Sequence, residues 1–199
     1  MLRLAAAVGA LSVAGLASAG TATVFDNAAA FNANVQMGFY FENFDSVFPG
    51  AAPSLDFGPV NGYSYTVGTQ AGAVSGLFND LGFISTDNEA DSIVVTFTGA
   101  PVTAVGGNFW ATDISFNPTG TDITINLSDG TNVSYTSTGP SDFRGFISDV
   151  AITSIQIDAP GTAFAWATMD NLTVGAAVPA PGAVAVLGLA GLAGIRRRR

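Results

Sequence analysis

Asp170 is the residue with the clearest need for a chemical partner. In Phe164-Ala165-Trp166-Ala167-Thr168-Met169-Asp170-Asn171-Leu172-Thr173-Val174 the bulky residues Phe164, Trp166, Leu172 and Val174 fall on even positions, and Asp170 shares their parity. A regular strand would therefore aim its carboxylate at the core or its rim, where an unpaired charge is strongly disfavoured. The partners open to it are a set of backbone N–H groups, Arg144, or a metal. Calcium is the metal to consider, because hard oxygen ligands are abundant in this chain. A second acidic site, Phe41-Glu42-Asn43-Phe44-Asp45, stands near the start of the body. First and last strands of jelly-roll sandwiches often lie side by side, so Glu42, Asp45 and Asp170 are expected to meet in a structural Ca²⁺ site. The competing reading is that Asp170 caps a turn or bonds backbone amides.

Other chemistries are narrower. The run Asp87-Asn88-Glu89-Ala90-Asp91 begins like a calcium loop, but Ser92 stands where an EF-hand needs glycine and Thr98 where it needs glutamate. It reads as a solvated acidic loop, with a weak Ca²⁺ site as the alternative. The chain has no cysteine and no histidine, which removes disulfides, thiolate nucleophiles, most zinc sites and histidine-based triads. A glycosidase or lyase needs only two carboxylates, yet no pair is singled out. Arg144 reads as a surface partner of Asp142 or Asp149, or else as a grip for a sugar or carboxylate. Tyr40, Tyr63, Tyr65, Trp110 and Trp166 are the aromatics that could stack on carbohydrate; most of them, Trp110 and Trp166 included, read as core.

The elements that position these groups are strands. From Val24 onward, short apolar runs are broken by turn residues every eight to twelve positions, the spacing of an all-β sandwich or barrel. The clearest unit is the hairpin Asp122 to Leu127 and Asn132 to Thr136, with Ile123, Ile125, Leu127, Val133 and Tyr135 inward and Asp129-Gly130 in the turn. Further strands are expected at Phe39 to Phe44, Tyr63 to Val67, Ile93 to Thr98, Ala104 to Ala111, Phe143 to Ile147, Ile152 to Asp158 and Phe164 to Val174. Ile93 to Phe97 reads as a central strand covered on both faces. Gly106 and Gly107 read as a bulge or a close backbone approach. A short helix is expected within Asp26 to Val35, capped by Asp26 or Asn27. Eight or nine strands imply two packed antiparallel sheets.

The ends carry different signals. Arg3, the apolar stretch Leu4 to Leu16 and the small residues Ala17-Ser18-Ala19 form a secretory signal peptide over residues 1–19, with Ala17 and Ala19 at the cleavage site. The body, residues 20–177, holds all 15 acidic residues against Arg144 alone, a net charge of −14. It would repel a phosphate backbone, so nucleic acid is excluded as a partner. After Ala177 come Val178-Pro179-Ala180-Pro181, an apolar segment at 182–195 and the cluster Arg196, Arg197, Arg198 and Arg199. Fourteen helical residues reach only about 21 Å, short of a bilayer core of about 30 Å.

Proline motif, short apolar helix and basic cluster, in that order behind a signal peptide, resemble the PEP-CTERM proteins, exported bacterial proteins with a C-terminal sorting tail. The third motif position departs from the usual glutamate, being Ala180. The resemblance implies that a membrane-embedded exosortase recognises the tail at 178–199, cleaves near the motif, and delivers the body to the cell surface or extracellular matrix. Four arginines favour the cytoplasmic side, so the body would lie outside. The body pieces Val105 to Phe109, Leu127 to Thr131, Phe143 to Phe146, Ile152 to Ile155 and Met169 to Val174 are similar to those of jelly-roll, lectin-like domains. The expected protein is thus an exported, non-enzymatic sandwich with a structural or adhesive role, transiently held in the membrane. The alternative is a carbohydrate-binding module for extracellular polysaccharide, and a less favoured third a paired-acid glycosidase or lyase.

Overall fold

The computed structural model describes residues 20–80, 82–160 and 164–179. Residues 1–19, expected to be a signal peptide, and the tail from Ala180 lie outside the described residues, and with them Ala17, Ala19, Ala180, Pro181 and Arg196 to Arg199. Among the described residues no helix is long and apolar enough to cross a membrane.

The chain runs through β1 (Thr23–Phe25), α1 (Ala28–Asn32), β2 (Tyr40–Glu42), β3 (Gly50–Ala52), β4 (Leu55–Val60), β5 (Tyr63–Thr69), β6 (Leu77–Asn79) and β7 (Ile84–Thr86). It continues through β8 (Ile93–Phe97), β9 (Val102–Thr112), β10 (Pro118–Thr119), β11 (Asp122–Leu127), β12 (Asn132–Thr136), β13 (Phe143–Ile152), β14 (Ser154–Asp158) and β15 (Trp166–Gly175). Two antiparallel sheets result. The larger, nine-stranded sheet has the order β1-β13-β9-β15-β7-β6-β3, with β10 on β9 and β2 on β15; the six-stranded sheet has the order β12-β11-β14-β8-β5-β4.

Between the sheets lies one core. Val105, Phe109, Ala111, Met169, Leu172 and Val174 from the larger sheet share it with Tyr65, Val67, Ile93, Val95, Ile123, Ile125, Ile155 and Ile157 from the smaller. Each large side chain removed from water here contributes about 1.5–3 kcal/mol. With no disulfide to assist, this burial must offset the chain entropy lost on folding.

The β11–β12 hairpin follows its alternation: Ile123 opposes Tyr135 and Ile125 opposes Val133, while Thr124 and Ser134 bond through their hydroxyls at 2.8 Å on the other face. β8 is central, between β14 and β5, but only one of its faces is covered. Ile93 and Val95 are fully buried, whereas Val94 is half-buried and Thr96 exposed. Phe97 is half-buried too, so the continuous apolar run reflects β-branched propensity as much as burial.

Helix α1 is capped by Asn27, whose side-chain oxygen accepts from the Ala30 amide at 3.0 Å. A five-residue helix has little stability of its own, so packing must hold it. Phe31 does so, buried on the outer face of the larger sheet with Val35, Ala104 and Phe143. Its ring centroid lies 5.6 Å from that of Phe143 and 6.1 Å from that of Phe25. Two glycines make the room: a Cβ on Gly145 would come within 2.5 Å of the Phe31 ring, and one on Gly106 within 2.9 Å. Close approach is therefore the role of Gly106, and the bulge expected there lies instead in the facing strand.

That bulge is at Asn171. Asp170 pairs with Asn108 and Thr173 with Gly106, so three steps along β15 match two along β9. Asn171 adopts φ 54, a left-handed conformation that asparagine tolerates better than most residues. The extra residue reverses the strand's parity. Ala167 and Met169 face the core before it, Leu172 and Val174 after it. Asp170 therefore does not share the face of Leu172 and Val174; it lies with Trp166 and Thr168 on the outer face.

Candidate functional site

The outer face of the larger sheet holds an open groove of about 480 Å³ between α1 and β15. Three phenyl rings, Phe39, Phe41 and Phe143, form its apolar wall, and three amide side chains, Asn32, Asn108 and Asn171, its polar wall, with Ala28 and Thr173 completing the lining. The positions follow from the fold. Phe143 and Asn108 are register partners across β13 and β9, and Asn108 is in turn the partner of Asp170. Asn171 belongs to the bulge, and Asn32 stands beside the buried Phe31 on α1. Phe41 is 51 % exposed, an unusual position for a large apolar ring.

Asp170 borders this groove through Asn171, whose backbone N–H donates to Oδ1 at 2.5 Å and whose Nδ2 donates to Oδ2 at 2.8 Å. Of the expected partners, neighbouring amides are thus the ones it has. Burial pushes the Asp170 carboxyl up to about 6; the Asn171 backbone hydrogen bond opposes the shift, and the nearby Asp45 charge adds to it. The Asp45 charge thus acts on Asp170, and β2, within the strand expected at Phe39 to Phe44, pairs with β15.

Glu42 is committed elsewhere: Oε1 accepts from the Phe44 amide at 3.0 Å and Oε2 from the Tyr40 hydroxyl at 2.9 Å. Asp45 accepts from Asn43 Nδ2 at 2.5 Å. Among the described residues no group of three or more acidic side chains is placed to hold a metal ion.

Three other expectations resolve differently. Asp91, read as part of a solvated loop, is 1 % exposed. Its carboxylate fastens the preceding loop, accepting from the amides of Val74 and Ser75, each at 2.8 Å, and from Gln70 Nε2 at 3.2 Å. Arg144 lies over the Tyr135 ring, 3.6 Å from its centroid, and donates to the Phe143 carbonyl at 2.6 Å. Its charge is also the last of the influences acting on Asp142: burial raises that carboxyl, but hydrogen bonds from Thr138 and Gly139 outweigh it and hold it below the usual range.

The aromatics divide as well. Tyr40, Tyr65 and Trp110 are buried. Trp110 packs edge-on against Phe83 at 5.9 Å on the outer face. Trp166, expected in the core, is half-buried on that same outer face. The phenylalanines of the groove are not among the residues expected from the sequence, since tyrosine and tryptophan are the usual carbohydrate-stacking side chains. The signal lies in the run Phe39-Tyr40-Phe41: a strand that buries Tyr40 on one face must turn Phe41 to the other.

Chemically, the groove offers ring faces and neutral amides. Neither Asp45 nor Asp170 lines it. Such a surface can bind a neutral polyol by stacking and hydrogen bonding, and it presents no opposed carboxylates for acid–base work. No protein-family model, curated protein or solved structure matches the chain.

Proposed function

We propose that the chain is an exported, non-enzymatic, jelly-roll-like sandwich that is sorted by its C-terminal tail and serves a structural or adhesive role at the cell surface or in the extracellular matrix. The sorting half rests on the sequence: signal peptide, Val178 to Pro181 motif, apolar segment and Arg196 to Arg199. Val178 is half exposed, which leaves the start of the motif open to a processing enzyme of the exosortase type. Between secretion and cleavage the short segment and its arginines would tether the precursor in the inner membrane. The intact mass of the protein from its own cells tests this. A species ending near Pro181 supports processing, whereas a mature form retaining Arg199 rejects it.

The groove favours the second reading, a carbohydrate-binding module, and gives the adhesive role a physical means. Extracellular polysaccharide offers flat apolar ring faces beside hydroxyls, matching Phe39, Phe41 and Phe143 beside Asn32, Asn108 and Asn171. The net charge of −14 on the body selects neutral glycans over acidic ones. Calcium belongs to the proposal as a structural ion shared by Asp45 and Asp170, with Glu42 outside the pair. Added calcium should then raise the melting temperature, and Asp170→Ala should abolish the rise; a melting curve indifferent to chelator removes the ion from the account.

A further inference from the structure

We propose that a second cleft, at the Trp166 end of β15, binds an organic ammonium group. It lies on the same outer face as the groove and stands independently of the glycan reading. Its volume is about 250 Å³, enough for the tip of an alkylamine or one amino-sugar ring. The walls are aromatic: Phe78 and Phe116 stack with centroids 5.5 Å apart and planes at 26°, and Trp166 lines the cleft in a half-buried position. An aromatic face attracts a cation through its quadrupole, tryptophan most strongly.

Two carboxylates add charge. Asp87 is exposed and lines the cleft, and Asp113 lines it from the loop after β9. Asp113 is fixed in place, Oδ1 accepting from the amides of Ser115 at 2.8 Å and Asn117 at 2.9 Å. Hydrogen bonds from Asn117 above all hold its carboxyl below the usual range, so it stays ionised.

The chain has no lysine, so a side-chain ammonium must come from another molecule. Amino sugars and lysine side chains both carry the group.

The test is a titration of the full chain followed by the indole N–H signals of its two tryptophans, assigned with Trp166→Phe. Butylammonium should shift the Trp166 signal saturably and more weakly as salt rises, while 1-butanol, of the same shape without the charge, should leave it in place. Trp166→Ala should weaken binding about tenfold. Asp87→Asn, an exposed change that leaves packing intact, should weaken it about fivefold. Glucosamine and Nα-acetyl-lysine amide, compared with N-acetylglucosamine, then identify the source. Equal binding of 1-butanol, or butylammonium affinity unchanged by both salt and Asp87→Asn, overturns the proposal.

Discussion

The two outer faces of the sandwich differ in kind. On the six-stranded sheet the side chains that point away from the core pair in short polar ladders, Thr124 with Ser134, Thr136 with Asp122 at 2.6 Å, Thr66 with Asp56 at 2.6 Å and Ser64 with Thr98 at 3.1 Å. Such a face is solvated and complete. On the nine-stranded sheet the outward side chains include Phe143, Trp110, Trp166 and buried Thr112 and Thr168, and they are roofed by α1 and by the loop after β9. What the roof leaves open is the groove and the cleft. One face of the molecule keeps water; the other has been built to bury things.

The contrast can be broken most severely at Phe31. Phe31→Ala removes the anchor of α1 and should cost about 3–5 kcal/mol in denaturant unfolding. Because Ala28 and Asn32 line the groove from the same helix, glycan binding should fall with it. Gly145→Ala attacks the same contact from the sheet, forcing a methyl group to within 2.5 Å of the Phe31 ring. A loss of about 1–3 kcal/mol is expected, since the backbone must shift to accept it. Normal stability in that variant would mean that the glycine serves no packing purpose.

A smaller effect belongs to Asp170 and carries a definite sign. Its folded value of about 6 lies above the unfolded carboxylate value, so between those two pH values the folded state binds the extra proton. In calcium-free buffer the carboxylate should therefore lower stability increasingly as pH rises through 6, and be harmless below the unfolded value. Asp170→Asn should raise stability at neutral pH by no more than about 1 kcal/mol, allowing for solvent screening, and should leave it unchanged in acid. Smallest of all is Thr124→Ala on the opposite sheet, within about 0.5 kcal/mol of the parent because its hydroxyl pair is exposed.

The same contrast explains what could be read from the sequence. Strands β11 and β12 belong to the sheet with a solvated outer face, and their alternation gives both position and facing; in β8 of the same sheet the continuous apolar run gives the position but not the facing. β15 belongs to the other sheet. Its period is interrupted at Asn171, and a parity argument carried across that point puts Asp170 and Trp166 on the wrong side. The hint was local: Asp170-Asn171 is a pair that accepts left-handed backbone, in the middle of an otherwise apolar strand. Gly106 was legible as a place of close approach, but the approaching ring, Phe31, is more than seventy residues away in sequence and only the tertiary fold supplies it; Gly145, which makes the same room, carries no such signal. The groove was hidden for the same reason, since α1, β2, β9, β13 and β15 all contribute to it.

The central claim is that the outer face of the nine-stranded sheet is the adhesive one. Its most direct test is cosedimentation of the protein with the insoluble extracellular polysaccharide of its own cells, comparing the parent with Phe41→Ala, Asn108→Ala and Thr124→Ala. The account predicts that the two groove substitutions release the protein into the supernatant while Thr124→Ala still sediments. Equal sedimentation of all four proteins, or release by Thr124→Ala alone, would contradict it.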